Sequence, residues 1–156
     1  MTLRYFEDFR IGEHMRLGRR TVTEAEMLAF ARDWDPQRIH VDRDFAQQAH
    51  FGGIIASGWY TCAVFMRLLV DGLLREASAI ASPGVDTIRW IHPVRPGDVL
   101  RAEITVTETV PSQTKPDRGL VKHDCKVFNQ ADELVMTLRT LALFACRPLP
   151  EPAATG

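Results

Sequence analysis

From Trp59 to Val70 the chain is almost wholly apolar, broken only by Thr61 and Arg67. A helix apolar around most of its circumference has to be buried on nearly all sides. A short chain can bury a helix that fully only by wrapping other elements around it. The segments on either side read as that wrapping. Thr23-Glu24-Ala25-Glu26 is a capping-box pattern that opens a helix with Met27, Leu28, Phe30 and Ala31 on its apolar face, ending before Pro36. Asp42 caps a further short helix through Phe45, Ala46 and Ala49, which Gly52-Gly53 terminates. Ahead of these, Met15, Leu17 and Val22 give a weak strand signal after a turn at Ile11-Gly12-Glu13.

After the apolar helix the period changes to two. A turn is expected at Ser82-Pro83-Gly84, then a strand with Ile88, Trp90 and His92 on one face and Thr87, Arg89 and Ile91 on the other. Pro93 to Asp98 makes a tight connection. Leu100, Ala102, Ile104 and Val106 then alternate with Arg101, Glu103, Thr105 and Thr107. A polar loop follows from Pro111 to Gly119, and Val121, His123, Cys125 and Val127 mark the inward face of another strand. Asn129 to Asp132 is a hairpin turn, and the last strand runs from Leu134 to about Cys146. Helices first and consecutive antiparallel strands afterwards define an α+β chain, with one sheet curled around one helix. A single domain over 1–147 and a frayed tail over 148–156 are expected.

Composition narrows the function. At 156 residues, with 46% apolar and 25% charged content, the chain is an ordinary globular protein with a sizeable core. A net charge of −1 argues against nucleic acid as a partner, since phosphate binding needs a cationic excess. Cys62, Cys125 and Cys146 show neither a disulfide nor a metal-ligand spacing, which fits a reducing compartment, and the cytoplasm is expected. The N-terminus carries acids early and has no apolar signal-peptide core. Ile54 to Leu74 is long enough to suggest a membrane span, but Arg67 and Asp71 inside it are costly in hydrocarbon and are spaced to pair on a helix face. No membrane role is expected.

Asp35 and His40 are the leading chemical candidates. Acid/base work near neutral pH needs a carboxylate and an imidazole converging on one small molecule, and Pro36 stiffens the turn between them. On their own, Asp35 as a turn residue and His40 as a loop residue would be the simpler reading. Ser57-Gly58 at the start of the apolar helix shifts the balance. A helix N-terminus offers unpaired N–H groups and positive dipole charge to a carbonyl. Ser57 could equally be a plain cap and Gly58 a packing necessity. His14 and His50 have no partners at metal spacing, so no metal is expected. His92 and His123 read as packing or edge residues.

The run Asp35-Pro36-Gln37-Arg38-Ile39-His40-Val41-Asp42, followed by Phe51-Gly52-Gly53-Ile54-Ile55-Ala56-Ser57-Gly58, resembles the signature of MaoC-like dehydratases, which include (R)-specific enoyl-CoA hydratases. The resemblance extends through Val94-Arg95-Pro96-Gly97-Asp98 and covers roughly Glu24 to Phe144. It implies a hot-dog fold, with Asp35 and His40 as catalytic pair and Gly58 as the amide that holds a thioester oxygen. Gln37 and Arg38 stand where Asn and Pro are usual, and Ser57 where His is usual; Arg38 adds length and charge beside the site. The implied activity is a hydro-lyase adding water to a trans-2-enoyl thioester, or the reverse, with no cofactor beyond the substrate's coenzyme A or carrier protein. Ser57, Trp59 and Tyr60 are expected to bind substrate, with Val64 and Phe65 also candidates to wall an acyl channel. Arg89, Arg95, Lys115 and Arg118 are weaker candidates for the coenzyme A phosphates. A homodimer at least is expected, because a single curled sheet leaves an edge exposed. A thioesterase on the same fold and a non-catalytic acyl-thioester binding module are the rivals.

Overall fold

The computed structural model describes residues 3–148, and the tail expected over 148–156 lies outside them except for Pro148. Helices come first, as α1 (Glu24–Trp34), α2 (Arg38–Val41), α3 (Arg43–Gln48) and α4 (Gly58–Gly72), preceded by β1 (His14–Thr21). β2 (Ala79–Trp90), β3 (Val99–Pro111), β4 (Arg118–Phe128) and β5 (Leu134–Ala145) follow. The five strands form one antiparallel sheet in the order β1-β3-β4-β5-β2, with α4 against its concave face.

Local chemistry sets the boundaries. Thr23 Oγ1 accepts from Glu26 N at 3.2 Å while Glu26 Oε2 accepts from Thr23 N at 3.3 Å, closing the expected capping box. α1 stops at Trp34, ahead of Pro36, and Asp42 caps α3 by accepting from Phe45 N at 3.0 Å. The alternation seen in β3 and β4 is real: Leu100, Ala102, Ile104, Val106, Val121, His123, Cys125 and Val127 are all buried. Arg67 and Asp71 pair at 2.6 Å on the surface of α4. Among the described residues no helix is long and apolar enough to cross a membrane.

Two expectations need correcting. The first concerns α4, which is not buried all round. Tyr60, Thr61, Val64, Phe65 and Leu68 are its buried side, but Trp59 and Met66 remain about half exposed, at 58% and 47%. The apolar surplus on that flank lines a groove between α4 and the β5–β2 side of the sheet. The second concerns Ser82-Pro83-Gly84, which is not a turn. β2 runs straight through it, with register shifts against β5 on both sides. An outermost strand tolerates proline because one side of its backbone need not donate, and bulges absorb the irregularity. Every residue of β2 except Ile88 is exposed.

The connection after β2 closes as read. Asp98 N donates to Arg95 O, Asp98 Oδ2 accepts from Arg95 N at 2.8 Å, and Gly97 adopts a φ of 87°. Arg95 is a structural tie, not a free cation: its guanidinium donates to the carbonyls of Phe51 and Gly53. That clamps the loop before α4 to the end of the sheet.

Candidate active site

Asp35 is the residue after the last turn of α1, its N–H still bonded to Ala31 O at 2.9 Å. Pro36 then turns the chain, and one helical turn, α2, carries His40 back over the carboxylate. His40 is buried, and its Nδ1 lies 2.8 Å from the carbonyl oxygen of Ile55. A carbonyl can only accept, so Nδ1 carries the proton and donates. In the neutral ring this leaves a bare lone pair on Nε2. That atom faces Asp35 Oδ2 at 3.4 Å.

Asp35 is held just as firmly. Ser57 Oγ donates to Oδ2 at 2.7 Å, and Gln37 Nε2 donates to Oδ1 at 2.7 Å. The Ser57 hydroxyl is the main influence drawing the Asp35 pKa below the ordinary carboxylate value; burial opposes it, while Gln37 and the charge of His40 add to it. Asp35 is therefore an acceptor-only carboxylate at neutral pH. With the ring neutral, the two atoms are both acceptors, 3.4 Å apart and with no proton between them. A single water donating to both would satisfy them and present its oxygen to whatever lies opposite.

What lies opposite is a cavity of about 360 Å³. Asp35, Gln37 and His40 form one wall; Gly58 and Trp59 at the start of α4, with Trp90 at the end of β2, are among the residues of the others. The Gly58 N–H has no hydrogen-bond partner among the described residues. It sits at the positive end of a 15-residue helix dipole. Gly58 is required for a further reason. A Cβ there would lie 2.4 Å from Trp90 Cε2, and the Trp90 indole N–H donates to Gly58 O at 2.9 Å. Packing of a tryptophan, as well as ligand approach, explains the glycine.

The sequence candidates separate on this geometry. Asp35, His40, Gly58 and Trp59 share the cavity wall. Ser57 is fully buried behind Asp35, so it positions the carboxylate and does not face a ligand. Tyr60 points the other way, its ring against Phe30 and its hydroxyl 3.4 Å from Glu26, where burial raises its pKa to about 12. Val64 is core, and Phe65 lines the apolar groove, not this cavity. Arg38 turns away to pair with Asp42 at 3.0 Å and stack on Phe45, so its charge is not beside the site. Arg118 is paired with Asp117. The residues missed from sequence are Ile55, whose carbonyl sets the imidazole tautomer, and Trp90 and His92, which line the cavity near the end of β2. A backbone carbonyl leaves no trace in a sequence, but Trp90 at a strand end was a legible signal. No group of three or more candidate metal ligands occurs among the described residues.

Comparison with known proteins bears on the family and the fold. A family model described as a MaoC like domain matches residues 8–125. The chain is 30% identical over 118 residues to the (R)-specific enoyl-CoA hydratase of Rhodospirillum rubrum, covering 72% of this chain and 76% of that protein. The crystal structure of a MaoC-like dehydratase from Rhodospirillum rubrum superposes with a TM-score of 0.87 at 39% identity, over 93% of this chain and 99% of that one. A Mycobacterium tuberculosis protein with a double hotdog fold matches at a TM-score of 0.80 and 19% identity, over 98% of this chain and 47% of that one, and bears on the fold alone. The fold is therefore a hot-dog, and the chain belongs to the MaoC-like dehydratase family.

Proposed function

We propose that the chain adds water to a trans-2-enoyl thioester, or removes it from the corresponding 3-hydroxyacyl thioester. The observation that carries this reading is the pair of acceptors, His40 Nε2 and Asp35 Oδ2, 3.4 Å apart on the cavity wall. Water held by both attacks the β-carbon as Nε2 takes one of its protons. The π electrons shift through the α-carbon to the thioester oxygen, which the Gly58 N–H stabilises; one such donor is worth roughly 3 kcal/mol in a transition state. The proton is then relayed past Asp35 to the α-carbon, which restores the carbonyl and the resting pair. Family membership and the similarity to an (R)-specific enoyl-CoA hydratase support the class of reaction.

The acyl arm extends, in this reading, past Trp59 into the apolar groove beside α4, since Trp59 is a wall of both spaces. A second copy of the chain covers β2, where Ile80, Val85 and Trp90 stand about half exposed on a strand whose outer edge is unpaired among the described residues. Sedimentation that finds only monomer at micromolar concentration would remove this last point. The reaction is tested with crotonyl-CoA. Loss of enoyl absorbance without release of thiol is the expected result. Thiol release would identify a thioesterase, and binding without either change a non-catalytic module.

A further inference from the structure

The apolar groove between α4 and the β5–β2 side of the sheet, about 590 Å³, is within the roughly 300–1,000 Å³ typical of small-ligand clefts. No charged side chain lines it among the described residues. Two buried polar groups do, His123 on β4 and Thr140 on β5, which are paired across the sheet. His123 is 2% exposed, and its Nε2 has no hydrogen-bond partner among the described residues. The neighbour of its ring is the edge of Phe9, at 6.1 Å between centroids. Among the described residues, Thr140 Oγ1 has only the thiol of Cys125, at 3.5 Å. A buried polar nitrogen left unpaired is costly, and in native proteins it usually signals a missing partner.

Strand register locates this polar spot relative to the reacting end. Trp90, at the mouth of the cavity, is level with Met136 and Val127, whereas Val85 is level with Thr140 and His123. Four residues along a strand is roughly 13 Å, the reach of a medium-length acyl chain beyond its thioester. Burial drives the His123 pKa down to about 4, with the charge of Arg4 adding to the effect. The ring is thus neutral at pH 7, with one donor and one acceptor nitrogen. A carboxylate at the chain end would find no cation there, which leaves an uncharged oxygen.

We infer that this protein prefers acyl chains carrying a hydroxyl or ketone oxygen near the far end, with His123 and Thr140 as its hydrogen-bonding partners. The inference rests on the acyl-thioester reading of the site, but not on hydration itself. The test is calorimetric titration of the unreactive thioesters decanoyl-CoA and ω-hydroxydecanoyl-CoA into the parent protein, His123→Phe and Thr140→Val. The parent should bind the hydroxylated ligand about tenfold more tightly, the worth of one hydrogen bond. In His123→Phe the ratio should fall to near one, and in Thr140→Val it should fall part of the way. Thr140→Val alone decides the matter if the histidine variant does not fold. Equal affinities in the parent would assign His123 to a buried water and overturn the inference. A preference that survives the variants, or no binding of either ligand, would also overturn it. Crotonyl-CoA is too short to reach His123, so failure to hydrate it alongside an intact binding preference would count against the proposed reaction alone.

Discussion

His40 and His123 are both almost fully buried, at 6% and 2% exposure, yet the chain has prepared them for opposite work. His40 sits on a single helical turn, with Nδ1 anchored on Ile55 O and Nε2 facing an ionised carboxylate. His123 sits in mid-strand among apolar side chains, with Nε2 unanchored and no carboxylate in contact. Burial by itself therefore says little about an imidazole. His40 has a fixed tautomer and a neighbouring carboxylate, the two things an imidazole needs in order to transfer protons. Lacking both, His123 stays neutral and can only give or take a hydrogen bond.

Breaking the first histidine's surroundings should give the largest effect. Asp35→Asn or His40→Gln should each cost a hundredfold or more in turnover of an enoyl thioester. If the two act on one water, as proposed, the double variant should cost little beyond the worse single one. If both singles fold and work at the parent rate, the pair is not catalytic. Next in size is Ser57→Ala, which removes the main hydrogen bond to Asp35. Turnover should fall about tenfold, less than for loss of the carboxylate itself. Its Asp35 pKa should rise toward the ordinary value. Asp35 has a depressed pKa in the fold, so its stabilising contribution is present above the unfolded pKa and lost as the pH falls through the folded one. In Ser57→Ala that loss should be smaller and should be complete at a higher pH, and an NMR titration of the Asp35 carboxyl should show its midpoint raised.

The second histidine should show itself in stability. Between pH 6.5 and about 4 an unfolded chain protonates its imidazole while the folded chain keeps His123 neutral. The unfolded state then binds the extra proton, so the parent loses stability as the pH drops through that window, and this contribution is flat below it. His123→Phe should remove that part of the slope, on the order of 3 kcal/mol between the two limits. Urea melts of both proteins at either end of the window measure it; parallel slopes would mean that His123 titrates normally. The smallest effect belongs to Arg38→Ala. Its guanidinium pairs outward with Asp42 in solvent, so turnover should change by less than about twofold. A larger loss would mean that Arg38 swings into the cavity in the working enzyme.

Much of this was legible in the residues because short-range rules govern it. The capping box at Thr23, the Asp42 cap, the inward faces of β3 and β4 and the Arg67–Asp71 pair all follow from spacings of two to four residues. Ser82-Pro83-Gly84 misled because turn chemistry is also what an uncovered outer strand tolerates, and only the sheet order reveals that β2 is outermost. Tyr60 misled for a rotational reason. One residue along a helix is about 100° of turn, so Trp59 meets the cavity while Tyr60 faces α1. Of the site, Asp35 and His40 were legible as a pair. The hydrogen bonds that tune them, from Ser57 and to Ile55, join segments far apart in the chain and required the fold.

The stacking of Trp90 over the unsubstituted Gly58 has a practical consequence for watching this protein at work. Trp90 and Trp59 lie edge to face, 5.4 Å apart at 77°, and both border the cavity. Indoles that close couple their excited states, which gives a paired signal in circular dichroism that depends on their mutual angle. Trp34, the remaining tryptophan, is 76% exposed and does not border the cavity, so it adds a background indifferent to occupancy. A ligand entering beside Gly58 should therefore alter the paired signal and the emission of the two indoles. A label-free titration followed by circular dichroism and fluorescence would read occupancy of this cavity.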